Sequence, residues 1–355
     1  MIHSKFTRRD FLKASTAITL SAVSGCAIPS RKPIVSIVKI KNDKTDYAVE
    51  KAIDLLGGIQ TVTKGKNSIM LKPNLVAESP TYTTKPSVIR ALAKLMKSAG
   101  KEVLIGEGSA AATGFNFKDE ITYRTRKQDL LDSMQKYVFD QLGYSDLAQS
   151  LKTPLINLHS GDLIDVELAN GLISNNITLH KSLMDVDMLC SVPMMKTHVL
   201  ATVTLSMKNL IGLYPGTVYY SVRSWLHDRA AEKKSPGVAF ETIDIVRANK
   251  LDLVVVDAST AMEGDGPTGG SLVKMNLIIA GTNPLATDMV SANIMGFEAA
   301  EIPTILWAIK SGMTPTAINE IEIRGEAIEM VKRKFVRPNV VPWTDINELW
   351  GVQEI

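Results

Sequence analysis

From Ile34 onward, short strand-like runs take turns with helical ones, and this alternation constrains the fold more than any other feature. "IVSIVKI" (34–40) reads as a strand, and "YAVEKAIDLLGG" (47–58) as a helix stopped by Gly57 and Gly58. "SIMLKPNLV" (68–76) is a strand broken at Pro73. In "PSVIRALAKLMKSAG" (86–100), Ile89, Leu92, Leu95, Met96 and Ala99 share one face, while Arg90, Lys94 and Lys97 take the other. "EVLIGEG" (102–108) is the next strand. A β-α-β-α-β run of this kind predicts an α/β fold, a mainly parallel sheet covered by helices in Rossmann-like layers.

The pattern continues with a helix over 128–144, short strands near 155–160 and 162–168, and a buried strand over 187–195. "TLSMKNLIGL" (204–213) is apolar nearly all round, which predicts a buried helix. A helix over 237–250, strands over 251–259 and 276–283, a helix opened by Pro284 and a last strand over 321–326 follow. Nothing repeats and no low-complexity linker intervenes, so residues 34–355 are expected to form one α/β domain, or two lobes of it.

The N-terminus carries signals of a different kind. Thr7-Arg8-Arg9-Asp10-Phe11-Leu12-Lys13 has the form of a twin-arginine export signal. The apolar run that follows, Ala14 to Val23, is too short for a permanent span. Val23-Ser24-Gly25-Cys26 has the form of a lipobox, with Cys26 the lipidated residue. Residues 1–25 therefore read as a signal peptide and 26–33 as a leash, giving an exported chain lipid-anchored to a membrane and facing the periplasm or cell surface. Its partner during export is the twin-arginine translocase. Loss of the signal removes four basic residues and one acidic one, leaving 36 of each. That balance gives no footprint for nucleic acid. The second cysteine, Cys190, stands alone in an apolar strand, so no disulfide or cysteine metal cluster is expected.

In open parallel sheets, ligands bind beyond the carboxyl ends of the strands. Polar residues gather at those exits: Lys72 and Asn74; Glu107; Lys196 and His198; Glu263 and Asp265; and Asp288 on the helix after the 276–283 strand. Lys208 and Asn209 lie in the apolar 204–213 stretch, where a lysine either snorkels to the edge, pairs with Glu107, Asp257 or Asp288, or meets an anionic ligand. "TYTTKP" (81–86) places Thr83 and Thr84 before a helix, suited either to an anion or to plain capping. Gly106-Glu107-Gly108-Ser109-Ala110-Ala111 fits a loose dinucleotide fingerprint, but it follows a later strand and no clear helix succeeds it. His159, His180 and His227 are scattered and read as structural.

Taken in order, "LKPNLV", "TTKPSVIRAL", "IGEGS", "PMMKTHVLATVTLSMKNLIG", "DASTAMEGDGP" and "NPLATDMV" resemble the domain-of-unknown-function 362 family across nearly the whole mature chain. The family's Lys-Pro-Asn, Lys-x-His, Lys-Asn and Gly-Asp-Gly-Pro elements fall on Lys72 to Asn74, Lys196 to His198, Lys208-Asn209 and Gly264 to Pro267. The resemblance implies no established activity. Some members carry an added ferredoxin-like module with iron–sulfur clusters; this chain lacks the cysteines, so no such cluster is expected on it. Where many members place a His after Thr-Thr, this chain has Lys85.

These readings converge on an enzyme that binds an anionic small molecule. Lys72, Asn74, Thr83, Thr84 and Asn209 are the expected ligand-binding residues, and His198, Lys196 and Lys208 the catalytic ones, with His198 as acid–base. Glu107, Glu263, Asp265 and Asp288 are the candidate holders of a divalent metal, or the counter-charges of the lysines; the cofactor itself is unknown. Two other readings stand beside this one. The first is a non-catalytic lipoprotein that binds a ligand or assists complex assembly. The second is a purely structural network in which Lys208 locks to Asp257 or Asp288.

Overall fold

The computed structural model describes residues 32–341 and 351–354, and they belong to one compact unit that begins at Lys32. Its main sheet has ten strands: β1 (Ile34–Lys39), β2 (Ser68–Pro73), β3 (Glu102–Glu107), β4 (Leu155–Asn157), β5 (Met188–Val192), β6 (Met194–His198), β7 (Thr202–Thr204), β8 (Leu251–Glu263), β9 (Ser271–Gly281) and β10 (Glu322–Gly325). They lie in the order β10-β1-β9-β8-β5-β2-β3-β4, with β6 beside the far end of β8 and β7 beside β6. Only β9 and β7 run against their neighbours. The remaining pairings are parallel, so the sheet is mixed but mostly parallel.

Alternate side chains of each strand feed two cores, as a two-residue period requires. Ile69, Leu71, Val103, Ile105, Cys190 and Val255 pack on one side against Ile53, Leu92, Met96 and Val138. These four come from α1 (Thr45–Leu55), α2 (Pro86–Ser98) and α3 (Gln128–Gln141), which α4 (Tyr144–Leu151) follows. Met70, Leu189, Val254, Val256 and Ile279 pack on the other side, with Leu210, Ile245, Leu285 and Ile305. The helices there are α5 (Ser206–Asn209), α6 (Ser224–Glu232), α7 (Ala239–Ala248), α8 (Pro284–Ile294) and α9 (Pro303–Lys310). The result is a sheet between two helical layers.

Three departures from the sequence expectations shape the functional edge. The strand expected over 251–259 runs further. β8 continues to Glu263 and pairs with β9 from Thr260↔Lys274 to Glu263↔Ser271, because buried Ala261 and Met262 give the extension an apolar side. This hairpin reverses β9, so Gly281 lies opposite Val35 and Val254, at the amino ends of the parallel strands. Thr282 and Asn283 therefore sit on the edge away from the other strand exits. Third, 204–213 is not one helix. β7 is followed by the single turn of α5, then a 3-10 turn over Leu210–Leu213, and Pro215 prevents continuation.

Arg8, Arg9 and Cys26 lie outside the described residues. Among the described residues no helix is long and apolar enough to cross a membrane.

Candidate functional site

Lys72 closes β2 and Glu107 closes β3, so adjacent parallel strands bring the two together at the carboxyl edge. The Lys72 ammonium lies 2.7 and 2.8 Å from the two Glu107 oxygens, 2.9 Å from the Pro73 carbonyl and 3.1 Å from Asn209 Oδ1. Glu107 also accepts the backbone N–H groups of Leu75 and Gly108, at 2.8 and 2.9 Å. The pair is 1% and 2% exposed. Burial lowers the Lys72 pKa, Glu107 opposes that shift, and Arg223 adds to it. Lys72 is thus already compensated by protein.

Asn209 carries the network onward. Lys72 can only donate, which fixes Asn209 Oδ1 as the acceptor; its Nδ2 donates to the Lys72 carbonyl and to Ser191 Oγ. Asn74 must then present its Nδ2 to the same Oδ1, at 3.1 Å. Its own Oδ1 is left without a donor although buried. An unmet buried acceptor of this kind is expensive.

Arg223 is the residue the sequence reading missed. It lies in left-handed backbone (φ 58°) just before α6 and is 2% exposed. All five of its N–H groups meet backbone carbonyls: Tyr214 on Nε, Ser109 and Ser221 on Nη1, Gly108 and Gly212 on Nη2. Burial lowers its pKa to about 10, against the pull of Glu107. A Cβ on Gly108 would come 2.6 Å from Arg223 Nη2, and one on Gly212 would come 2.8 Å from Lys72 Nζ. Close approach to these two cations explains the glycine at 108, and no helix begins after it. The dinucleotide fingerprint has no structural counterpart. In the sequence, nothing separates Arg223 from exposed arginines such as Arg229.

Lys72, Asn74, Glu107, His198, Lys208 and Asn209 are all brought to one cavity of about 90 Å³, together with Arg223 and His227. His227 is therefore not the stray structural histidine that was expected. It lies 3.2 Å through Nδ1 from Glu241, a fully buried carboxylate of α7 whose Oε2 has no partner among the described residues.

Lys208 differs from the other cations here. Among the described residues it makes no hydrogen bond and no ion pair, including with Asp257 or Asp288, so the locked network does not form. Its pKa falls to about 8, through burial above all; Glu241 resists the shift, while Lys72 and Arg223 reinforce it. The tautomer of His198 follows from its backbone contact. Its Nδ1 accepts the Leu200 N–H at 3.0 Å, so the neutral ring carries its proton on Nε2. Burial, then Lys208 and Lys196, push its pKa well below the usual histidine value. At neutral pH the His198 ring is therefore neutral and presents Nε2–H as a donor.

Other expected site residues lie elsewhere. Lys196, fully buried, spends its ammonium on the carbonyls of Tyr82 (2.7 Å) and Pro267 (3.3 Å), tying two loops together outside the cavity wall. Thr83 donates to the Ser79 carbonyl, and Thr84 bridges the Val192 carbonyl and the Asn74 N–H. Neither caps α2, whose flanking Lys85 N–H goes to Asp257 at 2.9 Å.

The four candidate metal carboxylates do not converge. Glu107 holds Lys72. Glu263 accepts the Val336 N–H, and Asp265 accepts both the backbone and side-chain N–H groups of Asn339, so both bind the C-terminal segment. Asp288, pushed up to about 6 by burial, accepts the Ser206 and Met207 N–H groups at the start of α5. Among the described residues no three His, Cys, Asp or Glu side chains group as a metal site.

Comparison with known proteins places these elements in a family. A thylakoid-associated protein of Synechocystis sp. is 27% identical over 268 residues, covering 75% of this chain and 74% of that protein. The lactate racemase apoprotein of Thermoanaerobacterium thermosaccharolyticum superposes with a TM-score of 0.41 and 13% identity, over 71% of this chain and 54% of its own. A Thermotoga maritima protein superposes with a TM-score of 0.28 and 12% identity, over 62% of this chain and 51% of its own. This chain thus spans about half the length of those two solved chains. The family model for the domain of unknown function DUF362 matches residues 69–293, the stretch that supplies the whole cavity lining from Lys72 to Pro267, and the chain belongs to that family.

Proposed function

We propose that this chain is an exported, lipid-anchored enzyme that binds a small organic monoanion in the carboxyl-edge cavity and moves a proton on it. The observation that carries this reading is Lys208, a partly buried cation with no hydrogen-bond or ion-pair partner among the described residues, in a cavity where protein groups satisfy Lys72 and Arg223. Lys72, Arg223 and Lys208 set against Glu107 and Glu241 leave one positive charge, which matches a carboxylate better than a phosphate dianion. His198 Nε2–H supplies a second donor for an oxygen of the ligand, and the unmet Asn74 Oδ1 suits a ligand hydroxyl or N–H. With a pKa of about 8, Lys208 is mostly ammonium at neutral pH; its minor neutral amine takes the proton from the bound substrate, becoming ammonium, and then returns it. His198 would stabilise negative charge developing on the substrate oxygen as a neutral donor.

Export and anchoring rest on the Arg8-Arg9 signal and the Cys26 lipobox. Native mass spectrometry of the full chain, purified from its own membrane, tests both parts. The expected wild-type spectrum shows a mature chain that begins at acylated Cys26 and carries a small-anion adduct, and Lys208→Met loses the adduct. An adduct unchanged in Lys208→Met contradicts the anion site. A chain that keeps residues 1–25 contradicts the anchor.

A further inference from the structure

The inner cavity is not closed. Val76, Ala110, His198, Leu200 and Val222 line both it and an outer chamber of about 330 Å³. Beyond that shared wall the chamber is bounded by Ala77, Ala111 and Val199, and also by Thr122 and the turn over 265–269. The alanines leave the space open, and the Val76 carbonyl accepts the N–H groups of Ala110 and Ala111, which hold the two walls together. The acidic residue of the chamber, Asp265, is engaged by Asn339. The chain thus presents a polar pocket with one spare positive charge beside a largely apolar chamber that shares its wall.

We propose that the ligand is an amphipathic carboxylate, with its head on Lys208 and His198 and a short aliphatic tail in the outer chamber. This rests on the anion-binding reading above and adds the tail. Methylenes packed against Val76, Ala111 and Leu200 leave water favourably, and the wall that the two spaces share puts the tail beside the head.

The test is calorimetric titration of the full chain with linear carboxylates from acetate to hexanoate at pH 7. Lys208→Met serves as the blank for partitioning into lipid or detergent. Each methylene buried in an apolar site tightens binding about three- to four-fold, so hexanoate is expected to bind about 100-fold more tightly than acetate. Ala111→Leu, which fills the chamber, cuts that ratio to below about ten-fold. If wild-type protein binds acetate and hexanoate equally, the tail site is wrong and the anion site stands. If it binds neither, the anion site itself is wrong and the tail falls with it.

Discussion

Replacing Glu107 by Gln lowers the stability of the chain by about 3–5 kcal/mol, the expected effect of leaving one buried charge unpaired. The Lys72 ammonium is 1% exposed, and two of its four contacts are to the lost carboxylate. Gln offers one acceptor oxygen, and that oxygen is also needed by the Leu75 and Gly108 N–H groups. The variant also acquires a pH dependence. Burial already lowers the Lys72 pKa, and loss of Glu107 lowers it further. The unfolded chain then binds more protons than the folded one, so the stability of Glu107→Gln rises with pH until it approaches the free lysine value. The double variant Lys72→Met/Glu107→Gln has no buried charge and recovers at least about 2 kcal/mol of the loss. Urea unfolding measures all three chains, and a Glu107→Gln loss below about 1 kcal/mol contradicts the buried-pair assignment.

Arg223→Lys is the second large effect, in spite of the preserved charge. The guanidinium serves five carbonyls on three segments, 108–109, 212–214 and 221. An ammonium has three donors and no planar fork, so at least two of those carbonyls lose their partner. At about 1–3 kcal/mol for each unmet buried group, the substitution costs about 2–6 kcal/mol. It also loosens Gly212, which packs against the Lys72–Glu107 pair, so anion binding weakens with stability. Equal urea midpoints for wild type and Arg223→Lys would show that the clamp carries no weight.

The two-residue and 3.6-residue periods made most of the fold legible, because strands such as β2 and helices such as α2 owe their burial to their own side chains. The β8 extension was hidden because Ser259, Thr260 and Glu263 make it look like a loop, while its stability comes from pairing with β6 and β9. The direction of β9 was hidden for the same reason, since a hairpin and a crossover can leave similar strand patterns. At the site, the strand-exit rule singled out Lys72, Asn74, Glu107 and His198, which the chain order takes to one edge, and the cost of charge in an apolar stretch singled out Lys208 and Asn209. It did not separate ligand-facing groups from groups spent on backbone. Lys196 and Lys208 look alike in the sequence, yet Lys196 is consumed by Tyr82 and Pro267 and Lys208 is not. Arg223 was invisible because its value lies in five carbonyls brought together only by folding. The carboxylates at 263 and 265 looked like a metal pair, and they instead hold the C-terminal residues 336 and 339.

The most direct test of the anion site is the affinity of the full chain for hexanoate between pH 7 and 9, in wild type and in Lys208→Met. The charges around Lys208 come from Lys72 on β2, Glu107 on β3, Arg223 before α6 and Glu241 on α7, with His198 of β6 and His227 of α6 on the cavity wall. Lys208, with its pKa of about 8, loses its charge across this window. Wild-type affinity is expected to fall about ten-fold from pH 7 to pH 9, while Lys208→Met binds weakly and evenly at both. A wild-type affinity that stays constant over this range and is matched by Lys208→Met would contradict the anion site on Lys208.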